Sequence, residues 1–186
     1  MAATDTTIEQ NVVPSGTWKS DPVHSHVGFS VKHMVVATFR GAFGDYEVTL
    51  SDETGEPRIS GTVRVSSVEV KDEQLNGHLL SPDFFDAENY PEISFTSTGI
   101  RREGDGIVVD GDLSIKGTTK RVEARGTITE PVENIAGREG VGLELSTIVD
   151  RTEFGLNWNA DLPKGGVAVS NDVRLDVQVE LAKEEA

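Results

Sequence analysis

Histidine is the residue type in this chain best placed to do chemistry, and three of its four copies, His24, His26 and His33, fall within the short stretch VHSHVGFSVKHM. Imidazoles at i and i+2 of an extended strand lie about 7 Å apart, which is close enough to chelate. A metal site needs a third and a fourth ligand, however, and only Asp21 stands nearby in sequence. His24 and His26 are therefore read as a rim or surface pair, and no metal is assigned. Cysteine is absent, which removes disulfides, thiolate metal sites and thiol nucleophiles. Neither a GxSxG elbow nor a GxxxxGK[ST] phosphate loop occurs. Acidic residues are abundant, but most fall on expected outer strand faces, where carboxylates are solvated. No catalytic residue and no cofactor is assigned, and the chain is not read as an enzyme.

The elements that must position any site repeat every two residues. Val173, Leu175, Val177, Val179 and Leu181 alternate with Asp172, Arg174, Asp176, Gln178 and Glu180, as in a half-buried antiparallel strand. The same alternation runs through Val141–Val149, Ile107–Ile115, Val122–Ile128, Tyr46–Leu50 and Ile59–Val65. Glycine-rich corners such as Gly104-Asp105-Gly106 and Lys116-Gly117 separate these runs and suit tight turns. The expected fold class is all-β, with eight or nine antiparallel strand candidates that suit a closed barrel or a double sheet, and one or two short helices able to cover an open end.

The helices are expected in KDEQLNGHLLSPDFFDAENYPEISF, where Leu75, His78 and Leu79 share a helical face. Asp72 is the candidate N-cap, and Ser81-Pro82 a second helix start. Phe84 and Phe85 would be exposed unless something covers them. In the strand around Phe29, Val23, Ser25, Val27, Phe29, Val31, His33 and Val35 point one way. That face is apolar, so it is expected inside and carries His33 with it, either as a satisfied core histidine or as a polar contact for a ligand.

The chain has 186 residues and a formal net charge of −15, which fits one domain with an acidic surface. Such a surface repels phosphate backbones, so nucleic acid is excluded as an expected partner. No run reaches the roughly 20 apolar residues of a spanning helix, so stable membrane insertion is excluded as well. The N-terminus lacks the features of a signal peptide, and the cytoplasm is the default compartment. Residues 1–16 read as a flexible arm, 17–182 as the barrel and 183–186 as a solvated end. Pairing into a homodimer is left open.

Four segments carry a family resemblance: GTWKSDPVHSHVGFSVKHM, GHLLSPDFFDAENYPEISFTS, GDLSIKGTTKRV and RTEFGLNWNADLPKGGVAVSNDV, in that order. Together they make the chain similar to the YceI-like proteins, a lipocalin-like family that binds polyisoprenoid chains. The resemblance implies an extended antiparallel β-barrel of about eight strands, lipocalin-like, with one or two short helices as a lid over a long hydrophobic tunnel. The partner it implies is a polyisoprenoid or isoprenoid quinone held for transport or storage. On that reading Phe29, Val31, Phe43, Leu113 and Leu145 line the lumen, with Phe95 beside the insert. Leu75, Leu79, Phe84 and Phe85 form a lid, and His33 or His78 meets a quinone oxygen. Phe154 and Trp158 close or line an end. Two readings compete with it: a metal-dependent enzyme or stress protein using His24, His26 and His33, and a barrel with a filled core that acts through protein partners.

Overall fold

The computed structural model describes residues 12–52 and 55–185. Their organising element is β12 (Val169–Lys183), a strand long enough to border three others. On one side it pairs with β11 (Glu139–Asp150), from Gly140 opposite Ala182 to Asp150 opposite Asp172. On the other side it pairs first with β2 (His26–His33) and then with β1 (Gly16–Ser20). After β1 the Asp21 N–H still donates to the Glu180 carbonyl at 2.8 Å, and the ladder breaks at Pro22, which has no N–H to give. Ser25 repairs the break with its side chain, its hydroxyl accepting from the Glu180 N–H at 3.1 Å.

From β1 the sheet runs through β4 (Tyr46–Asp52), β5 (Arg58–Arg64), β7 (Glu92–Glu103), β8 (Gly106–Ile115) and β9 (Thr118–Ile128) to β11, which returns it to β12. These eight strands close a wholly antiparallel barrel, the architecture that the family resemblance implies and one of the two that the alternation suits. A leaf extends from β12 beyond the ring: β2, β3 (Ala37–Phe43) and the two-residue β6 (Val68–Glu69). β3 meets β6 only at Ala42 and Phe43, so among the described residues most of its outer edge is not paired. A further short strand, β10 (Val132–Glu133), lies on the edge of β11.

The insert between β6 and β7 contains one α-helix, α1 (Glu73–Leu80). Asp72 caps it as the sequence predicts, its carboxylate accepting from the Leu75 N–H at 2.8 Å. Ser81-Pro82 begins a turn and not a second helix: the Ser81 hydroxyl instead donates to the His78 carbonyl at 2.7 Å and finishes α1. Two polar tethers hold the insert in place. Asn76 donates to the Val68 carbonyl at 2.7 Å, and the Lys116 ammonium donates to the Pro82 carbonyl at 2.7 Å.

The two ends of the barrel differ. One end is packed solid by Trp18, Leu50, Val141, Leu181 and Val13, all at or below 1% exposure. Val13 falls within the segment read as a flexible arm, so that segment is in the core by residue 13; residues 1–11 lie outside the described part. Lys183 also belongs to the barrel, with its ammonium 5.3 Å from the centre of the Trp18 ring. The other end, bounded by the β2–β3 leaf and the insert, is hollow.

Candidate functional site

The hollow end encloses a cavity of about 210 Å³ whose walls are almost wholly apolar. Each wall follows from strand alternation. Val27, Phe29 and Val31 face in from β2, and Ile59, Gly61 and Val63 from β5. Ile93 and Phe95 on β7, Leu113 and Ile115 on β8, and Leu143, Leu145 and Val149 on β11 continue the surface. Val173, Leu175 and Val177 complete it from β12. Apolar cavities of this kind stay dry, since water finds no hydrogen-bond partners in them.

Glycine explains why the lumen is not filled by its own phenylalanines. Phe29 is directly opposite Gly41 on β3, and a Cβ built at Gly41 would lie 2.5 Å from the Phe29 ring. The ring therefore lies over the glycine, against the wall. Phe95 uses Gly111 on β8 in the same way, since its ring fills the space a Cβ would need there. Ring-over-glycine pairs of this type stabilise strands that glycine would otherwise weaken.

The insert closes the open side with aromatic edges. Phe85 meets Phe29 at 6.3 Å between ring centres and Phe43 at 5.9 Å, both near perpendicular, the favoured edge-to-face arrangement. Leu79, Phe84, Phe85 and Phe154 all reach the cavity wall. Phe84, expected to be exposed unless covered, is buried; Trp158 covers it, with 5.5 Å between ring centres.

Four residues expected at the site lie elsewhere. His33 is exposed, not carried inward: β2 ends there and the chain turns away, so the inward phase stops at Val31. Val35, expected on the same inner face, is exposed in that turn. His78 is outside the cavity, its Nε2 3.0 Å from the Asp83 carboxylate and its ring edge-on to Phe84 and Trp158. Leu75 and Trp158 back the insert without forming the wall.

The histidine cluster also comes apart. His26 and His33 stand at opposite ends of β2, roughly 23 Å apart at about 3.3 Å per residue. One ion cannot join them. His24 lies before the strand, with Nδ1 2.9 Å from Asp21. That hydrogen bond holds the imidazole pKa above its usual value and the Asp21 carboxyl below its own. Glu180 joins them in an exposed group whose ligand atoms lie within 4.8 Å of one another.

Arg151 is the wall residue that the alternation does not reveal. It sits 5% exposed in a 3-10 turn, Arg151–Phe154, directly after β11. Its guanidinium donates to the carbonyls of Ser170 at 2.8 Å, Leu156 at 2.5 Å, Trp158 at 2.9 Å and Val169 at 3.3 Å. Burial pushes its pKa down, and the Asp150 carboxylate partly offsets that effect. The side chain thus binds the loop 156–170 to the barrel mouth. Among the described residues no helix is long and apolar enough to cross a membrane.

Comparison with known proteins places this architecture. The chain is 28% identical to a UPF0312 protein of Staphylococcus aureus over 169 residues, covering 87% of this chain and 95% of that protein. A UPF0312 protein of Staphylococcus epidermidis is 30% identical over the same shares. Among solved structures, Burkholderia cenocepacia BcnA superposes with a TM-score of 0.74 at 23% identity, covering 88% of this chain and 99% of that one. The Campylobacter jejuni YceI protein gives 0.70 at 25% identity, covering 89% and 96%. A polyisoprenoid binding domain from Saccharophagus degradans, implicated in plant cell wall breakdown, gives 0.64 at 13% identity, covering 92% and 100%. The family model for the YceI-like domain matches residues 18–181, the whole barrel with its insert and its hollow end, and the chain belongs to that family.

Proposed function

We propose that the hollow end of the barrel shelters an apolar lipid, a polyisoprenoid or an isoprenoid quinone, for transport or storage. The observation that carries this reading is the cavity itself: about 210 Å³ enclosed by apolar walls, with its phenylalanine rings laid against glycines. Enclosing apolar surface there is worth about 25 cal/mol per Å² removed from water. A long isoprenoid has a great deal of such surface and no other way to lose it in solution. The Saccharophagus degradans domain, a polyisoprenoid binder with the same barrel, supports the same ligand class.

Size refines the reading. An apolar cavity of roughly 150 Å³ takes one benzene, so the space enclosed here seats a short stretch of a prenyl chain. A longer chain needs the Phe85 ring and the insert to yield. His33 and His78 stand outside the cavity, so neither is assigned to a quinone oxygen; Phe29, Val31, Phe43, Phe95, Leu113 and Leu145 are assigned to the chain, with Leu79, Phe84, Phe85 and Phe154 as the cover.

The test is organic extraction of the purified full chain followed by mass spectrometry, with added quinone or polyprenol as a second arm. A stoichiometric long-chain isoprenoid in the extract, or saturable uptake of the added one, is the expected result. Failure of both arms would remove the proposal and leave a barrel with an unassigned cavity.

A further inference from the structure

The β2–β3 hairpin ends in a turn that runs against the ordinary chemistry of exposed turns. Met34, Val35 and Val36 are 40%, 69% and 84% exposed. Met34 and Val35 both have positive φ, 51° and 65°. Hairpins usually fill two successive positive-φ positions with Asn-Gly, because a Cβ there crowds the following carbonyl. A β-branched valine in that region is an outlier. Solubility and backbone energy both favour other residues here. Strain and exposed apolar surface with no gain in folding point to a function.

A second apolar loop stands beside this turn. The Met34 N–H donates to the Ala168 carbonyl at 2.8 Å, and His33 pairs with Val169. A Cβ at Gly166 would lie 3.6 Å from a Val35 methyl. The loop adds Val167, 40% exposed, and carries Lys164 near its crest. Local charge departs from that of the molecule. No Asp or Glu occurs between Asp21 and Asp45, a stretch that contains Lys32 and Arg40, and none between Asp161 and Asp172, which flank Lys164. Three cations, Lys32, Arg40 and Lys164, thus occupy two stretches whose bounding carboxylates are Asp21, Asp45, Asp161 and Asp172, with Glu69 at the far end of the leaf, in a chain of net charge −15. Val31 and Val169, just below the turn, line the cavity, so the exposed tip is continuous with the apolar interior.

We infer that this end of the barrel docks on an anionic lipid bilayer. Met34, Val35, Val36 and Val167 enter the acyl boundary, while Lys32, Arg40 and Lys164 meet lipid phosphates. Apolar side chains rimmed by cations are what a membrane interface selects. A second copy of the chain is a poor occupant, since a stable pair needs about 20–30 residues a side and this tip offers four apolar side chains. The acidic remainder does not prevent docking. β12 alone spans roughly 50 Å at about 3.3 Å per residue, and charge is screened within about 10 Å at 0.1 M salt. This inference goes beyond the shelter reading and does not depend on which lipid the cavity takes.

The experiment is flotation of the full chain with vesicles of phosphatidylcholine alone and of phosphatidylcholine mixed equally with phosphatidylglycerol. The wild type is expected on the mixed vesicles, released in part by salt. The double substitution Met34→Asn with Val35→Gly installs the customary turn residues, so its melting temperature stays equal or rises while vesicle binding drops about tenfold or more. Lys164→Glu with Lys32→Glu should lower binding to the mixed vesicles alone. Uptake of quinone from detergent micelles, read separately, should survive every one of these changes, which keeps a failure of docking distinct from a failure of the cavity. No binding of the wild type to either vesicle overturns the inference, as does undiminished binding of the folded turn variant, or self-association at the tip in place of flotation.

Discussion

Arg151 carries a full charge into an apolar mouth, and the arrangement around it explains how. A buried cation is costly unless its donors are satisfied, and four backbone carbonyls satisfy them. The planar fork suits this task, because a lysine offers a single point of charge and fewer fixed directions. Arg151→Met would leave the carbonyls of Ser170, Leu156 and Trp158 without this donor, Val169 keeping the Asn159 amide at 2.7 Å, while recovering the desolvation of the guanidinium. An unmade buried hydrogen bond costs about 1–3 kcal/mol, so the expected net loss is about 2–4 kcal/mol. Urea denaturation checks it: a fall in midpoint at constant slope is expected, and Arg151→Lys should not restore the wild-type midpoint. A variant as stable as the wild type would mean that the loop 156–170 is held by other contacts.

At the scale of elements, the insert is the part of the wall that no strand ladder holds. The closed ring of strands is held by ladders, whereas α1 and the turn after it rest on Asn76, Lys116, the Phe85 contacts and the burial of Leu79 and Phe84. If cargo passes this cover on its way in, trimming the cover should speed loading. Phe85→Ala is expected to destabilise by about 1–3 kcal/mol, less than a fully buried phenylalanine would cost because Phe85 keeps partial exposure. The same variant should accelerate uptake of a fluorescent prenyl ligand in stopped flow. An unchanged rate would place the entrance elsewhere. The insert was legible in part from sequence: Asp72 as cap and the Leu75/Leu79 face are local signals. That Phe84 would be buried by Trp158, 74 positions further on, has no local signal at all.

Viewed as a whole, the molecule divides into a packed end and a hollow end whose buried wall leaves a cavity unfilled. A ligand seated in the hollow end adds the burial the fold lacks there. Saturation at about 100 times Kd contributes about 2.7 kcal/mol. For a chain of this length each kcal/mol raises the melting temperature by about 2–4 °C, so a saturating quinone or polyprenol should raise it by about 5–11 °C. Differential scanning calorimetry on delipidated protein checks this, and a series of prenyl lengths that produces no shift would argue against cavity binding.

By itself the sequence determined the antiparallel strands and which residues of most strands face in, because a strand's two faces are set by a period of two. The cap of α1 was legible from a single residue type at a helix start, and the family from the resemblance of four segments. Tertiary structure alone decided where each strand leaves the wall. Alternation would carry His33 inward, but β2 ends at that residue, and the chain turns into solvent. It also decided that Arg151 faces a mouth lined with carbonyls, and that the lumen stays open. Openness depends on the register that sets Phe29 on Gly41 and lets Phe95 lie over Gly111. Register is a relation between strands, set in both of these hairpins by the turn that joins them, and no single strand's sequence contains it.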